Sequence, residues 1–254
     1  TGEDTLSLHD ALPILVGTQR QFVERLGGYT VLTTSINTIS TGELFVKRLF
    51  DIIGGLVGCV LTGILFLFLA PAIKIQSPGP VFFSQIRVGK NGKKFKLYKF
   101  RSMYTDAEER KAQLAAENRV TDGLMFKLDF DPRIIGCRQL PDGTVKKGIG
   151  NFIRDWSFDE FPQFWNVLKG DMSLVGTRPP TEDEWVRYEL HHRSRLAIKP
   201  GITGMWQVSG RSDITDFEEV VKLDMEYVKN WNIGMDIKIL FKTVGVVLKG
   251  SGSK

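Results

Sequence analysis

The sequence is poor in the residues that build disulfide frameworks and metal clamps. Its 254 residues include two cysteines, Cys59 and Cys137, too few for a disulfide scaffold or a cysteine-ligated zinc site. Two of its three histidines are the neighbours His191 and His192. Adjacent residues on a helix point about 100° apart, so the pair reads as two surface histidines. No GxGxxG or GxxxxGKS/T loop occurs, which leaves a Rossmann or P-loop nucleotide site without support. No internal repeat is visible. With 42% hydrophobic and 25% charged residues, the chain is neither disordered nor collagen-like. It opens on Thr1 rather than Met and reads as part of something longer. Residues 1–42 then form a remnant, or the tail of a missing upstream domain.

Charge is missing from two stretches in different ways. From Ile52 to Ile73 there are 22 residues with no charge at all, and Thr62 is the only hydroxyl among them. About 20 such residues span a bilayer core, so residues 43–76 are expected to form a membrane-inserted helix. From Lys74 to Arg101 there is no acid, but there are eight basic residues: Lys74, Arg87, Lys90, Lys93, Lys94, Lys96, Lys99 and Arg101. Taking those eight from the formal charge of +5 leaves −3 for the remainder, so a mildly acidic body carries one basic patch. Lys47 and Arg48 make the other flank of the apolar run basic too. Basic flanks stay in the cytoplasm, which favours a re-entrant helix with both ends on one face. The glycines at 54, 55, 58 and 63 and Pro71 would ease a bend, and Thr62 would bond a carbonyl freed there. The patch would attract anionic inner-membrane lipid.

Ser77-Pro78-Gly79-Pro80 ends the helix. Val81–Val88 and Phe95–Met103 read as two strands around an Asn91-Gly92 turn. Helices are expected near 106–118, 149–156, 158–170, 182–196, 216–229 and 233–248. Capping-box pairs mark four of them: Thr105 with Glu108, Ser157 with Glu160, Thr181 with Glu184, and Thr215 with Glu218. The fold class is thus mainly α with a small β-hairpin: a membrane helix followed by a domain over 77–250.

Three segments carry candidate chemistry. In Ser157-Phe158-Asp159-Glu160-Phe161-Pro162-Gln163, adjacent carboxylates stand at a helix start, because Pro162 is tolerated only in a first turn. One carboxylate can attack a phosphorus while the other holds a hard cation, although acids also suit the first turn of any helix. Gly170 to Pro180 is a loop with Arg178 as a phosphate partner. Lys199 to Arg211 carries glycines that would let backbone approach a ligand, Trp206, and Arg211 as a further phosphate partner.

Together with Lys47-Arg48-Leu49-Phe50-Asp51, Lys96-Leu97-Tyr98-Lys99-Phe100-Arg101, Asn166 to Ser173 and Pro200-Gly201-Ile202-Thr203-Gly204, these segments resemble one family in order. It is the bacterial sugar transferases, the monotopic polyprenyl-phosphate phosphoglycosyl transferases. The resemblance covers about residues 44–249. It implies transfer of a sugar 1-phosphate from a UDP-sugar to undecaprenyl phosphate at the cytoplasmic face of the bacterial inner membrane. In that scheme Asp159 is the nucleophile, and Glu160 helps it hold Mg²⁺ (or Mn²⁺). Arg154, Arg178, Pro179, Arg211 and Lys99 serve the substrates. The sequence departs from the family pattern at Thr177, where many members have proline, and at Thr62-Gly63-Ile64, where many break the helix with Ser-Pro.

Two other readings compete. A non-enzymatic, membrane-anchored interaction protein explains the apolar run and the patch but not the Asp-Glu pair. An RNA-binding hairpin is disfavoured by the acidic remainder, and nucleic acid is not expected as a partner. The sequence names neither the sugar nor the oligomeric state.

Overall fold

The computed structural model describes residues 19–26, 29–36, 40–114, 128, 130–210, 214 and 216–248. The ends of the helices expected at 106–118, together with Arg211 and Thr215, lie outside these. The described chain is mostly helical with four small two-stranded sheets. In order it runs β1 (Gln19–Leu26), β2 (Tyr29–Ile36), α1 (Thr41–Gln76), β3 (Phe82–Val88), β4 (Lys94–Phe100) and α2 (Ala107–Gln113). There follow β5 (Arg138–Gln139), β6 (Val145–Lys146), α3 (Ile149–Asp155), α4 (Gln163–Lys169), β7 (Ser173–Val175), α5 (Glu182–Arg187) and α6 (Leu190–Arg193). The chain ends with β8 (Gly201–Thr203), α7 (Met205–Val208), α8 (Phe217–Asn230) and α9 (Ile233–Leu248).

The apolar run lies within α1, a single helix of 36 residues that begins with a Ser40–Glu43 capping box. It is long and apolar enough to cross a membrane by length and composition. One face of α1 is packed along the body of the protein. At its start, Lys47 Nζ reaches Asp236 at 2.6 Å and the Val175 carbonyl at 3.1 Å. Arg48 donates to the Val167 and Leu168 carbonyls, both at 2.8 Å, and so satisfies the C-terminal turn of α4. Asp51, although 4% exposed, accepts bonds from Ser173 Oγ and the Leu174 N–H, both at 2.9 Å. Near the other end, Leu69, Ala70 and Ile73 share a core with Val81, Phe100, Ile135 and Ile153. Arg101 then bonds the Ser77 and Pro78 carbonyls just beyond the helix.

Between those ends the glycines bring neighbours close. A Cβ on Gly58 would stand 2.1 Å from Phe164 Cγ, and one on Gly55 would stand 2.8 Å from Leu168 Cδ2. Helix α4 therefore lies against α1 at a separation that only glycine permits. Gly63 has nothing within 4 Å.

The hairpin β3–β4 forms as expected, with Asn91 at φ 55° in the turn. Its basic residues do not make one surface patch. Lys74, Lys90, Lys93, Lys94 and Lys96 are exposed, whereas Arg87, Lys99 and Arg101 point into the protein. Phe95 and Phe100 are core residues, which removes the stacking platform that an RNA reading requires.

The Gly201–Thr203 segment is a strand parallel to β7, pairing Ser173 with Gly201 and Val175 with Thr203. Its glycines admit neighbouring backbone rather than a ligand: a Cβ on Gly201 would sit 2.0 Å from the Gly176 nitrogen. Trp206 is a core residue beside Tyr188 and Phe217. Two expected helices are broken. The 182–196 segment divides at the buried, extended Tyr188, and the 158–170 segment divides at Pro162. The last two helices form as expected, although Asp216 is the residue that caps α8.

Gly58→Ala should lower the thermal midpoint of the detergent-solubilised protein by several degrees, reflecting about 1–3 kcal/mol of overpacking. Gly63→Ala should leave it unchanged or raise it, since alanine favours a helix by about 1 kcal/mol. Equal midpoints for the two variants would contradict this packing.

Candidate active site

Asp159 and Glu160 occupy a short 3₁₀ turn, Phe158–Glu160, between α3 and α4. The expected Ser157–Glu160 capping box is absent. Ser157 instead takes a left-handed conformation, φ 54° and ψ 24°, with no side-chain cap bond. A residue with a Cβ enters that region at a cost of about 1–2 kcal/mol, so the surroundings must hold it there. They do so through the rings on either side of the two acids. Phe158 and Phe161 pack against the core that Leu69 and Ile73 of α1 share with Phe100 and Ile153. Ring contacts run on from Phe158 to Phe161 at 5.8 Å and from Phe161 to Phe164 at 5.6 Å. Pro162, which has no N–H to leave unbonded, forms the N-cap of α4.

With the rings held by α1, the two carboxylates face β4. Lys99 Nζ lies 3.3 Å from Asp159 Oδ2 and 3.3 Å from Glu160 Oε1. Asp159 is only 7% exposed. The strand bearing Lys99 is itself fixed from α4: the buried Asn166 side chain donates to the Lys96 carbonyl at 2.7 Å and accepts the Tyr98 N–H at 3.3 Å. One ammonium thus lies between the two carboxylates. The donors are hard oxygens, and two of them suit Mg²⁺, which keeps waters and shares substrate phosphates.

Arg178 belongs to a second charged centre. Its two terminal nitrogens bond Glu184 at 3.1 and 3.0 Å, and Glu184 is fixed by its capping box with Thr181. Arg87 stands 3.9 Å from the same carboxylate and donates to the Pro179 carbonyl at 3.1 Å. Burial, together with the Arg178 charge, pushes the Arg87 guanidinium down to about 10. Burial acts to raise the Glu184 carboxyl, but Arg178 and Arg87 outweigh it and hold it below the usual range. Behind Arg178, fully buried Arg195 donates to the Arg178 carbonyl at 2.9 Å and pairs with Asp224 at 2.8 Å. Arg154 is half-buried on α3, near Asp131. Burial would raise the Asp131 carboxyl, but hydrogen bonds from Arg133 and the charges of Arg133 and Arg154 keep it low.

The structure thus joins Lys99 directly to Asp159 and Glu160, and clamps Arg178 on Glu184. Sequence reasoning missed Asn166, Glu184 and the Arg195–Asp224 pair as parts of this framework. Glu184 had a signal, since its capping-box spacing fixes it near Arg178.

The histidine expectation also changes. His192 is 4% exposed, and its Nε2 lies 2.6 Å from Glu218 Oε1. His191, His192 and Glu218 stand close enough together to surround a cation. However, His192 Nδ1 accepts the Glu189 N–H at 3.1 Å. That assigns the proton of the neutral ring to Nε2 and removes the lone pair a metal would need there. The group is a hydrogen-bonded link between α6 and α8.

Comparison with known proteins places this chain in a family. The family model described as bacterial sugar transferase matches residues 42–250. The chain is 51% identical over 232 residues to the galactosyl transferase CpsE of Streptococcus agalactiae serotype III (strain NEM316), covering 91% of this chain and 49% of that protein. It is 41% identical over 220 residues to the undecaprenyl-phosphate galactose phosphotransferase of Salmonella typhimurium, covering 85% of this chain and 43% of that protein. It thus spans about half the length of these two relatives. Against the exopolysaccharide production protein ExoY of Rhizobium meliloti it is 36% identical over 214 residues, covering 82% of this chain and 87% of that protein. The chain belongs to the bacterial sugar transferase family.

Proposed function

We propose that this protein transfers a sugar 1-phosphate from a UDP-sugar to undecaprenyl phosphate, the first step of assembling a polysaccharide or glycoconjugate. The observation that carries this reading is the Asp159–Glu160 pair, held on a strained turn with Lys99 3.3 Å from both carboxylates. Asp159 attacks the sugar-bearing phosphorus of the donor. The bond from that phosphorus to the bridging oxygen breaks, and UMP leaves with the electron pair. An oxygen of undecaprenyl phosphate then attacks the same phosphorus and displaces Asp159. Dividing the transfer means the two bulky substrates need not be bound together.

Lys99, 3.3 Å from Asp159, supplies positive charge as the phosphoryl group passes. Asp159 and Glu160 would hold Mg²⁺ (or Mn²⁺), which supplies neutralising charge to the phosphate oxygens. Arg178, fixed by Glu184, with Arg154, Pro179 and Arg211, serves the substrates. Several relatives are named for galactose or UDP-galactose, so UDP-galactose comes first in a donor panel.

In this reading α1 is inserted in the inner membrane from the cytoplasmic side, and 77–250 is the cytoplasmic catalytic domain. The outer face of α1 supports insertion: Leu67 and Phe68 are 70% and 71% exposed, and Val60 is 66% exposed. An exposed apolar face of this extent needs a partner. Both ends of α1 are bonded to the same body, through Lys47, Arg48 and Asp51 at one end and Ile73 and Ser77 at the other. A simple span would separate those ends across the bilayer.

In a UMP-release assay with UDP-galactose and undecaprenyl phosphate, Asp159→Asn should cut turnover by a factor on the order of 10³ or more. EDTA should stop the wild-type enzyme, and added Mg²⁺ should restore it. Near-normal turnover in the variant would remove Asp159 as nucleophile, and full activity in chelator would remove the metal.

Topology is checked with Glu43→Cys and Lys90→Cys, each in a background lacking Cys59 and Cys137, using an impermeant thiol reagent on intact cells. Both sites should stay protected until the inner membrane is opened. Labelling of position 43 from the periplasm would establish a span instead.

A further inference from the structure

Thr62 lies on the packed face of α1, between Gly58 and Leu65. Its Oγ1 is 2.7 Å from the Gly58 carbonyl and 3.1 Å from the Phe161 carbonyl. The first contact is the one a helical threonine makes with its own preceding turn. The second leaves the helix altogether, and the single hydroxyl proton is shared between the two carbonyls. It reaches the residue that directly follows Asp159-Glu160, on the turn whose entry is the left-handed Ser157. The Phe161 carbonyl also accepts the Phe164 N–H at 3.0 Å, so removing the hydroxyl leaves that oxygen bonded within its own turn but no longer tied to α1. The ring contacts of Phe158 and Phe161 resist displacement of the turn but have no directional preference for its carbonyl.

We propose that Thr62 is a positioning residue for the Asp159–Glu160 pair. Ser157 sets the backbone where the turn begins, and the Thr62 hydroxyl sets it where the turn ends. Together they fix the direction in which both carboxylates leave the backbone toward Lys99. The apolar helix thereby orients the reacting group as well as holding the protein at a membrane. This inference rests on the reading of Asp159 as the attacking carboxylate. Its physical basis is that a reacting atom misplaced by about 1 Å can cost on the order of 10²-fold in rate.

A packing role for Thr62 is the rival explanation, and two matched pairs separate it. Threonine and valine share a shape and differ in the hydroxyl, as do serine and alanine. Thr62→Val and Thr62→Ala should each lower kcat roughly tenfold relative to the hydroxyl-bearing partner, wild type and Thr62→Ser respectively. KM for the UDP-sugar should stay within about twofold, and the thermal midpoint should follow side-chain volume rather than the hydroxyl. If Thr62→Val does not fold, the serine–alanine pair decides alone. Equal kcat within either folded pair would overturn the proposal. So would a loss of kcat that tracks the thermal midpoint, with serine as damaged as alanine. Asp159→Asn is run alongside: if it remains active, the reading of Asp159 as nucleophile fails, whereas a dead Asp159→Asn beside a fully active Thr62→Val refutes the positioning role alone.

Discussion

The structure depends on how one face of α1 is held. A 36-residue helix whose outer face is apolar gains nothing from water on that side, so its inner face must fix its place. Two kinds of contact do so. Lys47, Arg48 and Asp51 bond backbone and side-chain groups of α4, β7 and α9, all far from α1 in sequence. Glycines then let Phe164, Leu168 and Leu174 come within the space of a missing methyl group. The charged contacts are directional and set the rotation of the helix, while the glycines set its distance. The Phe158–Glu160 turn and α4 are built on that surface.

Electrostatics then completes the site. Two adjacent carboxylates would repel each other and any phosphate substrate. Lys99 offsets that repulsion, and Asn166 holds the strand that delivers it. Arg178 and Arg87 converge on one buried carboxylate, Glu184, with the Arg195–Asp224 pair behind them. Guanidinium groups held this way lose little freedom on meeting a phosphate, because their orientation is already fixed. In the proposed function, charge meets the substrates from side chains that have little room to relax.

Much of this was legible in the sequence. The apolar run announced α1, Asn91-Gly92 announced the hairpin, and the ordered motifs pointed to Asp159, Glu160 and Lys99. What was not legible depends on partners distant along the chain. Ser157 and Glu160 have the spacing of a capping box, and only the packing of Phe158 and Phe161 on α1 forces the left-handed turn instead. The glycines of α1 look suited to bending or to close contact, and only the distant partners Phe164 and Leu168 reveal the close contact. Arg87, Lys99 and Arg101 read as surface charge because hydrophobicity along a strand does not reveal a buried carboxylate or carbonyl facing it. The glycines at 201 and 204 looked like a ligand cradle, but their neighbour is Gly176 of the other loop.

In the proposed mechanism Asp159, presented by a turn built on α1, becomes covalently loaded. The direct measurement is peptide mass mapping after incubation with Mg²⁺ and UDP-galactose, followed by other UDP-sugars, in the absence of undecaprenyl phosphate. A sugar-phosphate adduct is expected on the peptide containing Asp159, and it should be discharged when undecaprenyl phosphate is added. Turnover on addition of the acceptor, with no adduct on Asp159 beforehand or with an adduct on a different residue, would contradict it.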